Sequence, residues 1–402
     1  MADTESEPGG CVARIEPWLF SEGRLIQDPR RFCALLAARI VQSGLPLRRL
    51  RISLHTLNPL VIGKSFTWWR EQPEVEVFEP LHAIIQTPEY LGSPIEAVRL
   101  SGAPLRCRPQ QEAPARLHSS VLAQREAGVT DYLVLPLRFC YDPLASTLIL
   151  SSDQPQGFSD AEVAQLIALA GRLAPVLEVM SQEITMQSLL TTYLGPRAAG
   201  KVRGGQVRRG DSERIQAVIW YSDLRGSTAL TERLPEAQML ELVNDYFALI
   251  SDSVTPKGGE VLRFVGDAML VIFPIGAERG AEQAAQDAID AVEDAERRRR
   301  RLNRQWRARG VAEIRFGLGL DFGELVYGNV GALQRLDFTV MGAAVNRAAR
   351  IETLTKSCAI PVLLSAAIAA LLPGRCRVVG QFPVPGVAAP LTLYRLRRET
   401  PQ

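Results

Sequence analysis

The sequence predicts a mixed α/β chain in which two domains are joined by a helical linker. Three observations support this. The C-terminal half alternates short apolar strands with amphipathic helices, the pattern of a sheet covered by helices. A long helical pattern that opens at "SDAEVAQL" runs into the Gly/Arg-rich stretch "PRAAGKVRGGQVRRGDSE", which divides the chain. The length, 402 residues, suits two domains of ordinary size.

The elements follow in order. The opening "MADTESEPGG" is polar and acidic, unlike a signal peptide, so residues 1–16 read as a disordered leader. Residues 17–176 mix both periodicities. "DPRRFCALLAARIVQSG" has helical spacing, "RRLRISLHTL" alternates as a strand does, and "DYLVLPLRF" and "STLILSS" are short buried-type strands. "GFSDAEVAQLIALAGRLAPVLEVM" begins with a capping box, Ser159 followed three residues later by Glu162. Residues 177–212 read as a helical linker and transducer that ends in a loop. Residues 213–398 carry the strands "RIQAVIWYS", "EVLRFVG", "AMLVIFP", "EIRFGLGL", "ELVYGNV" and "LDFTVMG" between helices. Pro235 suits the first turn of the helix after it.

Composition narrows the function classes. With 47% apolar and 22% charged residues the chain reads as globular, and a net charge of +2 gives no field aimed at nucleic acid. Six scattered cysteines without a C-x-x-C pair favour reduced thiols and a cytoplasmic location. No run approaches ~18 consecutive apolar residues, so no membrane span is expected. The run "ERRRRRLNRQWRARG" follows the acidic "DAIDAVEDAE" on one helical pattern, which reads as a solvated face with intrahelical pairs rather than a nucleic-acid surface. His55, His82 and His118 lie in the first third without ligand spacing. The C-terminal half must therefore do its chemistry without histidine.

Two stretches raise a chemical question there. The apolar strand in "AVIWYSDLRGSTAL" ends on Asp223, just before a Gly226-Ser227-Thr228 turn that opens a helix. A carboxylate is seldom left at such a place unless it is paired or binds a metal. Backbone N–H groups at that turn suit a phosphate. In "GGEVLRFVGDAMLVIFP", Asp267 falls on the turn of a β-hairpin. If the two strands are neighbours, their carboxylates converge beside the phosphate pocket. Carboxylates with phosphates are usual Mg²⁺ ligands. A pair of such ions ~4 Å apart can activate a hydroxyl and hold a leaving pyrophosphate.

"WYSDLRGST", "GGEVLRFVGDAMLVIF", "GLGLDFGELVYGNVG" and "DFTVMGAAVNRAARIE" resemble, in that order, the class III adenylate/guanylate cyclase catalytic domain, over about 215–396. The resemblance implies a ferredoxin-like core acting as a head-to-tail homodimer with sites at the interface. It implies that Asp223, Asp267 and the Leu224 carbonyl hold two Mg²⁺ or Mn²⁺ ions per active site. Arg225, Gly226, Ser227 and Thr228 would line the phosphates, Asn346 would orient the ribose, and Arg350 would stabilise charge on the α-phosphate. Arg263 and Thr339 would read the purine. Asn346, Arg350, Arg263 and Thr339 would serve the partner protomer's metal pair. The implied reaction converts ATP to 3′,5′-cyclic AMP and pyrophosphate, with a guanylate cyclase or a weakly catalytic nucleotide-binding module as alternatives.

Three positions depart from the family pattern. Arg263 stands where most members carry lysine. Pro385 in "FPVPGV" stands where many have a triphosphate-binding lysine, leaving Arg225 or Arg395 as substitutes. Asp321 replaces a common histidine in "GLDFG". "LILSSDQPQGFSDAEVAQLIALAGRLAPVLE" resembles a GAF-type sensor, so an unknown small-molecule or protein signal is expected at the N-terminal domain.

Overall fold

The structure is a computed structural model that describes residues 10–140, 145–311, 313–384 and 389–397. The chain divides into Met1–Leu189 and Leu190–Gln402. That division falls inside the long helix expected to start the linker, so the linker assigned to 177–212 is shared between the two units.

The first unit contains helices α1 (Cys11–Ser21) and α2 (Pro29–Gln42), strands β1 (Arg49–His55), β2 (Gly63–Trp69) and β3 (Glu76–Phe78), and helix α3 (Pro94–Ser101). It continues through β4 (Leu105–Cys107), α4 (Ser119–Glu126), β5 (Asp131–Leu137), β6 (Ser146–Ser152) and α5 (Asp160–Leu194). The six strands form an antiparallel sheet in the order β3-β2-β1-β6-β5-β4. Leu50, Ile52 and Leu54 alternate onto one face, beside Leu133, Leu135, Leu148 and Leu150 of the neighbouring strands. They pack on Phe32, Leu36 and Ile40 of α2 and Leu166, Leu169 and Leu173 of α5. Each such side chain contributes about 1.5–3 kcal/mol by leaving water. The capping box forms: Glu162 N–H donates to Ser159 Oγ at 3.3 Å and Ser159 N–H to Glu162 Oε2 at 2.6 Å.

Two expectations are corrected in this unit. Helix α1 begins at Cys11 and buries Cys11 and Ile15, so residues 11–16 of the leader expected over 1–16 are helical, while residues 1–9 lie outside the described residues. Helix α5 is long and apolar enough, by length and composition, to cross a membrane, contrary to the reading that no segment is. Its apolarity has a local use, because Leu166, Leu169, Leu173 and Leu177 are buried in the core just described.

The second unit comprises α6 (Pro196–Arg203), β7 (Ser212–Leu224), α7 (Ser227–Arg233), α8 (Glu236–Val254), β8 (Glu260–Val265), β9 (Ala268–Pro274) and α9 (Ala281–Ala308). Then come β10 (Phe316–Ala332), β11 (Arg335–Met341), α10 (Ala343–Ser357), β12 (Val362–Ser365), α11 (Ala366–Leu371), β13 (Cys376–Phe382) and β14 (Leu391–Leu396). The strand order is β13-β14-β12-β10-β7-β9-β8, with β11 paired to β10. Within it, β7-α8-β8-β9-α9-β10 gives the spatial order β10-β7-β9-β8, the split β-α-β arrangement of ferredoxin-like folds. Val218, Trp220, Val271 and Leu318 face α8 and α9, while Ile219, Ile272 and Tyr327 face the other way, with Ala344 and Ala348 of α10.

Two sequence readings change here. "EIRFGLGL" and "ELVYGNV" were expected as separate strands but are one, β10. The stretch "PRAAGKVR", expected as loop, is helix α6, whose Ala198 and Ala199 are buried, Ala198 in the core beneath Ala217 and Ile219. The arginine-rich run lies on α9 and is laced as expected: Arg298 pairs with Asp294 at 2.7 Å and Arg299 with Glu296 at 2.8 Å.

Candidate active site

Strand β7 sits between β9 and β10, and Asp223 near its end pairs in register with Ala268 on one side and Gly317 on the other. The β8–β9 hairpin closes through Gly266 and Asp267, Gly266 taking the positive φ of 62° that such a tight turn needs. This brings Asp267 beside Asp223, and Leu224 N–H donates to the Asp267 carbonyl at 3.3 Å. Burial raises the Asp223 carboxyl above its ordinary range, and the neighbouring Asp267 carboxylate raises it further. Lys356, its Nζ 3.7 Å from Asp223 Oδ2, opposes that rise.

The donor set fits magnesium. Two like-charged carboxylates side by side are an arrangement that a divalent cation relieves, and all their donors are hard oxygens. Among the described residues no group of three His, Cys, Asp or Glu could hold a metal by itself. The set therefore suits an ion that completes its shell with phosphate oxygens and water. Gly226, in the left-handed conformation at φ 75°, turns the chain from β7 into α7, and no side chain caps the first turn at Ser227 and Thr228.

Arg225 does not join this group. Its guanidinium forms an ion pair with Glu352 Oε1 at 2.8 Å and bonds Thr355 Oγ1, both on α10. The buried Glu352 carboxylate holds it against the helix rather than at the turn expected to receive phosphate. Pro385 lies outside the described residues.

Helix α10 reaches this position because of the spacing in "GLGLDFG". Gly317, Gly319, Asp321 and Gly323 alternate onto one face of β10. A Cβ at Gly319 would lie 2.3 Å from the Ala348 carbonyl oxygen, and one at Gly323 would lie 2.9 Å from Ala344 Cβ. The glycines thus form the trough in which α10 lies. Asp321, the residue that departs from the family histidine, is 1% exposed and accepts from Arg347 Nε at 2.7 Å. On the outer side of α10, Asn346 is exposed and Arg350 half-buried, one turn apart on one face. Arg350 Nη1 is shielded from water and has no hydrogen-bond partner.

The two base-reading candidates are close to each other. Arg263 on β8 pairs loosely, at 3.6 Å, with Asp337 on β11. Thr339, two residues on from Asp337, is 6% exposed and its Oγ1 is buried without a partner. Sequence reasoning missed Lys356, Glu352 and Asp337. Only the alternating glycines of β10 hinted at the first two, by calling for a closely packed helix.

Residues 211–397 match the family described as "Adenylate and Guanylate cyclase catalytic domain". The chain is 33% identical over 153 residues to an adenylate cyclase of Anabaena cylindrica, covering 37% of this chain and 29% of that protein. It is 30% identical to the crystal structure of an adenylyl cyclase from P. aeruginosa, covering 47% of this chain and 97% of that one, with a TM-score of 0.42. A guanylyl cyclase crystal structure is 28% identical, covering 46% of this chain and 93% of that one, with a TM-score of 0.41. The chain spans 30% of the length of the curated relatives it matches first.

Proposed function

Taking residues 211–397 as an adenylate and guanylate cyclase catalytic domain, we propose that the protein is an adenylate cyclase, working as a homodimer under the control of a GAF-like N-terminal sensor. One observation carries the chemistry: the paired carboxylates of Asp223 and Asp267 at the edge of an uncapped glycine turn. Asp223, Asp267 and the Leu224 carbonyl would hold two Mg²⁺ or Mn²⁺ ions. When bound, the ions would lower the pKa of the attacking hydroxyl and neutralise charge on the leaving pyrophosphate.

The chain's own residues bind and orient. The backbone of Gly226, Ser227 and Thr228 receives phosphate oxygens. Asn346, exposed on α10, orients the ribose so that its 3′-hydroxyl faces the α-phosphorus. Arg350, one turn further along, has an unpartnered guanidinium nitrogen to place against charge that builds on the α-phosphate. The 3′-hydroxyl gives up its proton to water, its oxygen bonds to the α-phosphorus as the bond to the bridging oxygen breaks, and pyrophosphate leaves with that electron pair. Positioning and charge do most of the work, so the absence of histidine from this half of the chain is no obstacle.

Substrate choice follows from hydrogen-bond chemistry. Arginine only donates, so Arg263 matches the acceptor at adenine N1 and opposes the N–H at guanine N1. The unpartnered Thr339 hydroxyl can accept from the adenine amino group. One feature favours the alternative: the Asp337 carboxylate beside Arg263 could accept from guanine N1–H. Purified full-length protein offered ATP and GTP separately, with pyrophosphate release as the readout, decides between them. A preference for ATP of at least about tenfold in kcat/KM is expected, since a buried unpaired donor costs ~1–3 kcal/mol. Equal or faster turnover of GTP would overturn the assignment of these two positions.

A further inference from the structure

The N-terminal sheet has a second face, and it is built unlike a core. In register, Arg49 of β1 lies opposite Ser151 of β6, and Ser53 lies opposite Thr147. On the other side Arg49 faces Trp69 and Arg51 faces Thr67 of β2. Directly opposed residues share a face. These side chains therefore form a polar field on the face that does not carry Leu50 and Ile52. Helix α3 covers part of it, burying Val98 against Tyr132, Val134 and Ile149.

The charges in this field are not balanced. Arg49 is 6% exposed, yet among the described residues neither it nor Arg51 has a carboxylate within ion-pair distance. Its neighbours are neutral: Gln124 Oε1 at 3.5 Å, the outer limit of a hydrogen bond, and the Tyr132 hydroxyl. The Nε atoms of both arginines are shielded from water and unbonded, as are Thr147 Oγ1 and Ser151 Oγ. Among the described residues the one acid that acts on both is Glu76 of β3, exposed and bonded instead to Trp69 Nε1 at 3.3 Å. Arg99 of α3 adds a third positive charge nearby. Burial, and next the charge of Arg49, push Arg51 down to about 10.

Ring stacking supports these guanidiniums without neutralising them. Arg49 lies over Trp69 at 4.9 Å and Arg51 over Phe78 at 5.6 Å. Stacking occupies a guanidinium face and leaves its N–H edge free, and that edge is the part that grips carboxylate or phosphate. Buried polar groups are almost always bonded. Four unbonded donors in one field, two of them on unpaired cations, call for a partner that carries negative oxygens.

We infer that this face is a binding site for a small molecule bearing a compact oxyanion, carboxylate or phosphate, gripped by Arg49 and Arg51 and completed by the Thr147 and Ser151 hydroxyls. The cover provided by α3 limits the ligand to a small molecule. The site does not depend on the cyclase reading, and its test reads binding rather than turnover.

Full-length protein is titrated with succinate and with inorganic phosphate, each against sodium chloride at equal ionic strength, and followed by thermal unfolding and calorimetry. At least one probe is expected to raise Tm saturably beyond the chloride control, and the stronger of the two identifies the anion class. Arg51→Met, which removes an unpaired buried charge at similar volume, should melt at or above the wild-type temperature without ligand and bind the effective probe at least tenfold more weakly. Thr147→Val combined with Ser151→Ala, a change gentler to the fold, should also weaken binding several-fold. No saturable rise with either probe would overturn the proposal. So would a rise that survives both variants, because the anion would then be bound elsewhere.

Discussion

A carboxylate that closes a buried strand costs stability unless something nearby needs its charge, and Asp223 illustrates the cost directly. Burial and the adjacent Asp267 both raise its pKa, so the pair is strained electrostatically, a strain that a bound cation would relieve. Asp223→Asn and Asp267→Asn should each lower turnover by a factor of about 100 or more. Thermal melting should hold or rise, because one of two repelling charges is gone. A variant that keeps substantial Mg²⁺-dependent pyrophosphate release would show that the pair does not hold the metals. Glu260 offers a contrasting test away from the site. It is 8% exposed, burial raises its pKa, and Tyr327 donates to it at 2.9 Å. A raised folded-state pKa gives stability that is fully present below the unfolded value, about 4.3, and is lost as pH rises through the folded value. Glu260→Gln has no such titration. Its Tm relative to wild type should therefore climb as pH rises above about 4.3 and level off once the folded-state carboxyl has ionised; a constant difference would mean that the burial of Glu260 carries no charge penalty. The aspartates were legible in the sequence because a charge interrupts an apolar run. Lys356 and the turn of Arg225 toward Glu352 were not, since a cation at a helix end or in a loop reads the same whether it is solvated or paired.

At the scale of elements, the glycines of β10 determine where α10, and with it Asn346 and Arg350, can lie. A methyl group at Gly319 would sit 2.3 Å from the Ala348 oxygen and 2.5 Å from Glu352 N, backbone atoms that cannot swing aside. Gly319→Ala should cost about 1–3 kcal/mol in denaturant unfolding, the range for overpacking. It should also depress turnover further than the loss of folded protein explains, because displaced catalytic side chains are costly. Gly171→Ala is the matched control: it lies inside α5 with no atom within 4 Å of a new Cβ, and should stabilise by about 0.5–1 kcal/mol. If both substitutions behave alike, the trough is not what seats α10. Strands β1, β5, β6, β7, β8, β9 and β11, the β8–β9 hairpin and the capping box of α5 were legible because period, turn chemistry and caps act locally, whereas β2, β3, β4, β12, β13 and β14 were not singled out. The continuity of β10 was not, because glycine normally marks a turn and only a helix packed on the sheet gives it another use. Helix α6 was hidden for a related reason. Its glycine and arginine content reads as loop, and the burial of Ala198 and Ala199 that sustains it comes from a sheet far along the chain.

For the whole molecule, the decisive matter is whether one chain holds a complete site. Among the described residues Asp267, Lys356 and Arg225 act on Asp223, and Asp223 in turn acts on Glu352. Asn346 points outward from α10, and among the described residues Arg350 has no carboxylate partner. Around these residues the surface is unusually apolar: Phe264 and Val265, next to Arg263, are 53% and 44% exposed, and Met341, at the end of the strand that carries Thr339, is 51% exposed. Exposed large apolar residues grouped beside functional ones mark a surface made to be covered. A second copy related by a two-fold axis would cover it and bring Asn346 and Arg350 to the partner's carboxylates. Complementation tests this. Asp223→Ala and Arg350→Ala should each be nearly inactive alone. When they are co-purified as a mixture with free exchange, half of the dimers carry one of each chain. In such a heterodimer one site has both defects, and the other combines the intact carboxylates of one chain with the intact arginine of its partner. The mixture should therefore recover about a quarter of the wild-type rate, as two-fold symmetry requires. Recovery should also fall on dilution as dimers dissociate, a dependence that contamination by wild-type protein would not reproduce in the same range. If subunit exchange is proven by differently tagged chains and the rate still does not recover, each chain closes its own site, and the arrangement across a dimer is wrong.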